Sequence, residues 1–251
     1  MASNLKVIIY LSFFALIPSG ICSYFVNFDA SNDTLNDPSK IGQLNLEAAR
    51  GDKVSSNQPD LYIKLGKDDN GTAALHCHRI KGDIRSEYHA LAGKTEKDTT
   101  YYIGYQFSLA EIEQSLMIWQ FKEFEANSHG GANIPLSMEI VNGKLEFQYQ
   151  SSGNSHRESQ WSTEVTADTV YSAGIVINTS TPGWVQFYWN GDLQKFSSTG
   201  GHNLTATTFP GRADPKFGAY RGEAVGIDTY IYKIQIGTEQ SDIASAADLK
   251  K

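Results

Sequence analysis

Cysteine is almost absent from this 251-residue chain, which has only Cys22 and Cys77, so no disulfide framework can hold it together. Basic residues are also short: 21 Lys and Arg stand against 28 Asp and Glu, a net charge of −7. That balance argues against a nucleic acid or an anionic membrane as partner. Long apolar runs are missing after the first 23 residues, so no later stretch reads as a membrane span. The one early run, Val7 to Ile17, follows Lys6 and precedes Pro18-Ser19-Gly20-Ile21-Cys22-Ser23. A single early cation, a short apolar core and small residues afterwards form the pattern of a secretory signal peptide. Cleavage after Cys22 fits best, with Gly20 and Cys22 at the small-residue positions; cleavage after Ser23 is nearly as good. The expected organisation is therefore a signal peptide over 1–22 and a single domain over 23–251. Loss of Lys6 leaves 20 basic against 28 acidic residues, a net charge of −8. Four N-x-S/T sequons, at Asn32, Asn70, Asn178 and Asn203, agree with a secreted, glycosylated, extracellular protein. A monomer is expected.

Helix signals are scarce, and strand signals run through the whole chain. Lys144 to Gln150 alternates apolar Leu145, Phe147 and Tyr149 with polar Glu146, Gln148 and Gln150. Asp228 to Ile236 places Tyr230, Tyr232, Ile234 and Ile236 on one face. Asn142-Gly143 and Asn190-Gly191 each join two such runs, and both residues of that turn accept positive φ. Further strands are expected near 24–28, 60–66, 73–79, 84–91, 99–107, 116–125, 134–140, 171–177, 184–189, 192–196 and 215–221. A short helical turn is expected over 108–114, and a helical or frayed tail over 238–250. A dozen short strands with turn signals between them specify an all-β fold: a β-sandwich or jelly roll of two antiparallel sheets with a concave substrate groove.

Three distant segments set polar groups on strand faces. Alternation puts Arg85, Glu87 and His89 on one face, Gln120 and Lys122 on one, and Lys216, Gly218 and Tyr220 on one. Side by side they would make a groove of Arg, Lys, Gln and Tyr suited to an acidic polysaccharide. In a chain of net charge −8, the basic residues must then be concentrated in that groove. Elimination on a uronic acid polymer needs the carboxylate neutralised, a base for the proton beside it, and an acid for the departing oxygen. Arg85 and Gln120 suit the carboxylate. Tyr220 suits the base and acid, with Lys216 on its face and Arg221 beside it. Glu87 would orient Arg85 or Lys122, and Lys122 could hold a neighbouring uronate.

The segments Arg85-x-Glu87, Gln120-x-Lys122, Trp189-Asn190-Gly191 and Lys216-x-Gly218-x-Tyr220-Arg221 resemble the jelly-roll polysaccharide lyases, and among them the fungal glucuronan lyases. The resemblance extends over residues 70–237. Alginate lyases carry a histidine where this chain has Lys122, which argues against that branch. The resemblance implies Gln120 and Tyr220 as the catalytic pair, Arg85 at the carboxylate, and a histidine from a strand upstream of Arg85. His76 and His78 share a face and both qualify, with His78 favoured; His89, on the face of Arg85, is a third option. No redox or organic cofactor is implied. A structural calcium ion at Asp228, with oxygen ligands from Asn27 or Asp29, is also suggested by the resemblance.

Rival readings attach to the same residues. A lectin-like sandwich could use the basic groove only to hold acidic glycans. Glu123 and Glu125 share a face opposite Gln120 and Lys122 and invite a two-carboxylate hydrolase of neutral glucans, though the full acidic set is missing. His76 and His78 could bind zinc, but Cys77 points the other way and the sequence shows no third ligand. Trp184 and Trp189 lie on opposite faces of their strand, so at most one is a sugar platform.

Overall fold

The computed structural model describes residues 24–124, 131–209 and 211–250. The signal peptide expected over 1–22 lies outside them, as does Glu125. Among the described residues no helix is long and apolar enough to cross a membrane. The described residues form seventeen strands, β1 to β17 in chain order, in two antiparallel sheets packed face to face.

The groove sheet has the order β11-β10-β9-β8-β16-β6-β2-β3. Its strands are β2 (Gly42–Glu47), β3 (Lys53–Val54), β6 (Arg85–Ala90), β8 (Met117–Glu123), β9 (Leu136–Val141), β10 (Lys144–Tyr149), β11 (Glu158–Glu164) and β16 (Ala213–Tyr220). The back sheet has the order β14-β13-β12-β7-β17-β5-β4, with β1 also on β17 and β15 also on β13. Its strands are β1 (Val26–Asp29), β4 (Leu61–Lys67), β5 (Ala73–Arg79), β7 (Thr100–Leu109), β12 (Tyr171–Asn178), β13 (Gly183–Trp189), β14 (Asp192–Leu193), β15 (Leu204–Ala206) and β17 (Ile227–Gly237).

Alternation assembles the core. Trp119, Phe121, Phe147 and Phe217 from the groove sheet meet Phe28, Tyr105, Phe107 and Phe187 from the back sheet, all fully buried. Burying such a ring contributes about 1.5–3 kcal/mol. Cys77 is in this core, its thiol pushed up to about 12 by burial. Trp189 packs on the core against Tyr171 and Trp161, and Trp184 takes the opposite face of β13.

Both Asn-Gly turns form as expected. Asn142 (φ 51°) and Gly143 (φ 76°) close the β9–β10 hairpin, and Asn190 (φ 47°) and Gly191 (φ 83°) close β13–β14. The helical turn expected over 108–114 does not form. Ser108 and Leu109 complete β7 instead, where Ser108 hydrogen-bonds Tyr232 and Leu109 enters the core. The tail is docked, not frayed. Gln240–Ile243 makes one 3₁₀ turn, and Ile243, Ala246 and Ala247 are buried over paired Gly104 and Gly174. A Cβ on Gly104 would stand 2.9 Å from Ala246, so the bare backbone of this glycine pair is what admits the tail.

Candidate active site

Strand β16 lies between β6 and β8 in the groove sheet, which joins the three polar segments. Lys216 pairs with His89 on one side and Gln120 on the other. Two residues on, Gly218 pairs with Glu87, and Tyr220 pairs with Arg85. A bulge in β8 sends both Ile118 and Trp119 into the core, so Met117 and Gln120 face the groove. Sequence distances of 33 to 135 residues thus collapse onto three neighbouring strands.

Gly218 is required at the centre. Its φ is +133°, and a Cβ there would stand 2.2 Å from the Ser86 carbonyl oxygen. Across this side-chain-free position the Gln120 amide donates to Glu87 Oε1 at 2.7 Å. Glu87 is fully buried, and its other oxygen lies 3.4 Å from Arg85 Nε. Arg85 also reaches Glu47 at 3.4 Å and donates to Asn45 at 3.3 Å. One buried carboxylate therefore accepts a hydrogen bond from the amide and faces the guanidinium as its ion-pair partner.

The cations here are crowded and dry. Burial lowers the Lys216 ammonium to about 8; Arg85 and Lys122 push the same way, and Glu87 opposes them. Burial likewise lowers Lys122, which donates to the Glu123 carbonyl. Both ammonium groups and Arg212 stand over the exposed ring of Phe124, at 5.7, 4.8 and 4.5 Å from its centroid. His89 stacks on the same ring at 5.2 Å, and its Nε2 is 3.0 Å from Asp214. Burial alone would raise the Asp214 carboxyl. Hydrogen bonds from His89, the Gly93 N–H, Thr95 and Arg212 hold it below the usual carboxylate range.

Tyr220 is half-buried, with the Arg85 guanidinium 4.4 Å and that of Arg221 5.1 Å from its ring centroid. Arg221 sits at φ 67°, a turn that ends β16, with Glu223 at 3.7 Å. Two cavities flank the Arg85–Tyr220 pair. One, of about 500 Å³, is lined by Gln43, Asn45, Glu47, Lys53, Lys122 and Lys216 among others. The other, of about 480 Å³, is lined by Met117, Glu139, Arg157, Tyr220, Arg221 and Glu223 among others. The first holds Arg85 and the second Tyr220, and these two residues pair across β6 and β16. Cations gather at the first cavity, where Lys53, Arg85, Lys122 and Lys216 stand with Glu47; in the second, Arg157 and Arg221 are each matched by a carboxylate, Glu139 and Glu223.

The expected upstream histidine is corrected. His76 and His78 stand on β5 in the back sheet. Cys77 between them points into the core, so both imidazoles point outward, away from the groove. Among the described residues, His89 is the histidine that shares the groove face with Arg85 and Glu87. The calcium expectation is corrected too. Asn27 and Asp29 pair with Gln235 and Lys233, whereas Asp228 lies five residues back along β17 and pairs with His78. Five residues of strand span roughly 16 Å, and Asp228 meets two imidazole nitrogens at 2.5 and 2.7 Å, not an oxygen cage. Glu123 is buried at the end of β8 and accepts the Arg212 N–H, away from the groove.

Several groove residues escaped the sequence reading. Gln43, Asn45 and Glu47 come from β2, whose alternation with Leu44 and Leu46 is a period-two signal that was legible. Asp214 continues the alternation of Lys216, Gly218 and Tyr220 on β16 and was legible in the same way; Arg157 and Glu139 gave no such signal, because only the fold brings them to the site.

No protein-family model matches the chain, and no curated protein matches it in sequence. Solved structures do. An endo-β-1,4-glucuronan lyase from the fungus Trichoderma reesei is 17% identical with a TM-score of 0.56, covering 82% of this chain and 98% of that one. An alginate lyase from Pseudomonas aeruginosa is 11% identical with a TM-score of 0.55, covering 78% and 98%. The binding domain of a botulinum neurotoxin, solved with rat synaptotagmin II, is 11% identical with a TM-score of 0.54, covering 90% and 50%. At these identities the likeness establishes the jelly-roll sandwich and leaves function to the groove residues.

Proposed function

We propose that the protein is a secreted polysaccharide lyase that cleaves a β-1,4-linked polyuronate, glucuronan, by β-elimination. The observation that carries this reading is the in-register placement of Arg85, Glu87, Gln120, Lys216 and Tyr220 around Gly218. Arg85, Gln120 and Lys216 neutralise the uronate carboxylate as charge moves onto it. Tyr220 removes the proton from the carbon that bears the carboxylate. That electron pair forms the double bond to the neighbouring carbon, and the bond from there to the glycosidic oxygen breaks. The departing oxygen takes up a proton, which Tyr220 returns. Tyr220 begins and ends this cycle as the phenolate, and two guanidinium groups against its ring supply the positive charge that form requires. His89, held by Asp214, assists in place of the histidine expected near 78. Lys122, Arg221 and Arg157 hold flanking uronates along the groove. The protein acts outside the cell as a monomer, and the chemistry needs no redox or organic cofactor.

A lectin-like reading is favoured by one observation: Lys53, Arg85, Lys122 and Lys216 line one cavity and suit an acidic glycan with no need for Tyr220. Mass spectrometry of products separates the readings. Elimination gives fragments one water lighter than hydrolysis would, with an unsaturated end. Intact polymer that binds without being cut would replace the lyase reading with the lectin.

A further inference from the structure

The outer face of the back sheet carries a second constellation that the groove does not use. We propose that His76, His78 and Asp228 form a site for a divalent transition metal of the zinc class. His76 and His78 alternate with core-facing Cys77, so both imidazoles emerge on the same outward face. Asp228 is the cross-strand partner of His78 on β17. His76 Nε2 and His78 Nδ1 both converge on Asp228 Oδ1, at 2.5 and 2.7 Å. Among the described residues this is the one group of His, Cys, Asp or Glu side chains gathered closely enough to hold a metal.

The donors are held in place by their neighbours. Tyr62 stacks on His78 at 4.9 Å and meets His76 edge-on at 5.3 Å. Tyr230 stacks on His76 at 4.8 Å. Ordered rings lose little freedom when a metal arrives. The Asp228 backbone N–H donates to Glu111 Oε2 at 2.7 Å, so a second carboxylate adds negative charge behind the site. Two nitrogens and one oxygen suit Zn²⁺, with metal–nitrogen bonds of about 2.0–2.1 Å, and do not suit Ca²⁺. The three side chains are 22, 23 and 27% exposed, which leaves a fourth position open to water. The ion would clip β5 to β17 on the sheet opposite the groove, so its effect is on the stability of the sandwich.

The test uses tag-free mature protein, stripped with a chelator and titrated with zinc chloride during thermal unfolding. Zinc at a hundredfold excess over its dissociation constant should raise the midpoint by about 5–10 °C. The variants His78→Ala and Asp228→Ala should lose that shift. No shift in the native protein, or an equal shift in the variants, would overturn the site. Should the variants fail to fold, cobalt(II) replaces zinc in the native protein. Intense visible bands of a four-coordinate ion are expected, and the weak spectrum of hydrated cobalt alone would overturn the proposal.

Discussion

The two outward faces of the sandwich are built by the same alternation and carry different chemistry. The groove face gathers Arg85 and Lys216 around one buried carboxylate, Glu87, with Lys122 beside them. The back face gathers two histidines around Asp228, lines them with Tyr62 and Tyr230, and elsewhere is covered by the docked tail. Core packing specifies only which residues point inward. What points outward is free to differ, so one fold can host a cation-rich groove and a metal-type cluster back to back.

The largest effect expected on the groove side is from Tyr220→Phe. Turnover of the polyuronate should fall roughly 10³-fold, the middle of the range for a lost acid–base group. Calorimetry should find affinity for uncut polymer nearly unchanged; retained turnover would remove Tyr220 from its role. Next comes Glu87→Gln. Losing a buried charge between Arg85 and Lys216 should cost about 2 kcal/mol of stability in urea unfolding. Catalytic efficiency should fall with it, because Gln120 and Arg85 lose their common anchor.

A smaller, pH-dependent effect is expected at Lys216, whose ammonium is lowered to about 8. As pH rises through 8 the folded protein loses that charge, so KM for the polyuronate should climb. The unfolded chain keeps its proton up to the ordinary lysine range, so stability should rise with pH over the same window. Lys216→Arg keeps its charge and should flatten the KM profile; a loss of turnover in this variant would instead make Lys216 the base. The smallest effect sharpens the contrast from the other side. His78→Ala should leave turnover within about twofold, whereas His89→Ala should lower it roughly tenfold or more. Steady-state kinetics on the two variants decides between the faces.

The alternating runs around Phe147 and Tyr230 and the two Asn-Gly turns made the sheets legible, because strand period and turn chemistry are local. The three polar segments were legible as faces for the same reason. What sequence alone could not supply was which sheet each strand joins. His76 and His78 alternate as cleanly as Arg85 and Glu87 do, yet β5 pairs with β17 and β6 pairs with β16. Partner choice is a long-range matter of core packing, and it carried the histidines to the wrong side. Asp214 was legible as part of a face but not by its partners. It alternates with Lys216, Gly218 and Tyr220 along β16, and its burial becomes tolerable only where His89, Thr95 and Arg212 meet it.

The central claim is that the groove performs elimination, and ultraviolet absorbance tests it most directly. Native protein and Tyr220→Phe would be incubated in parallel with glucuronan, alginate, pectate and a neutral β-glucan. The account predicts rising absorbance from conjugated double bonds on glucuronan with the native protein, and a flat trace with the variant. A flat trace on every polymer with the native protein, accompanied by new reducing ends on the neutral glucan, would contradict it.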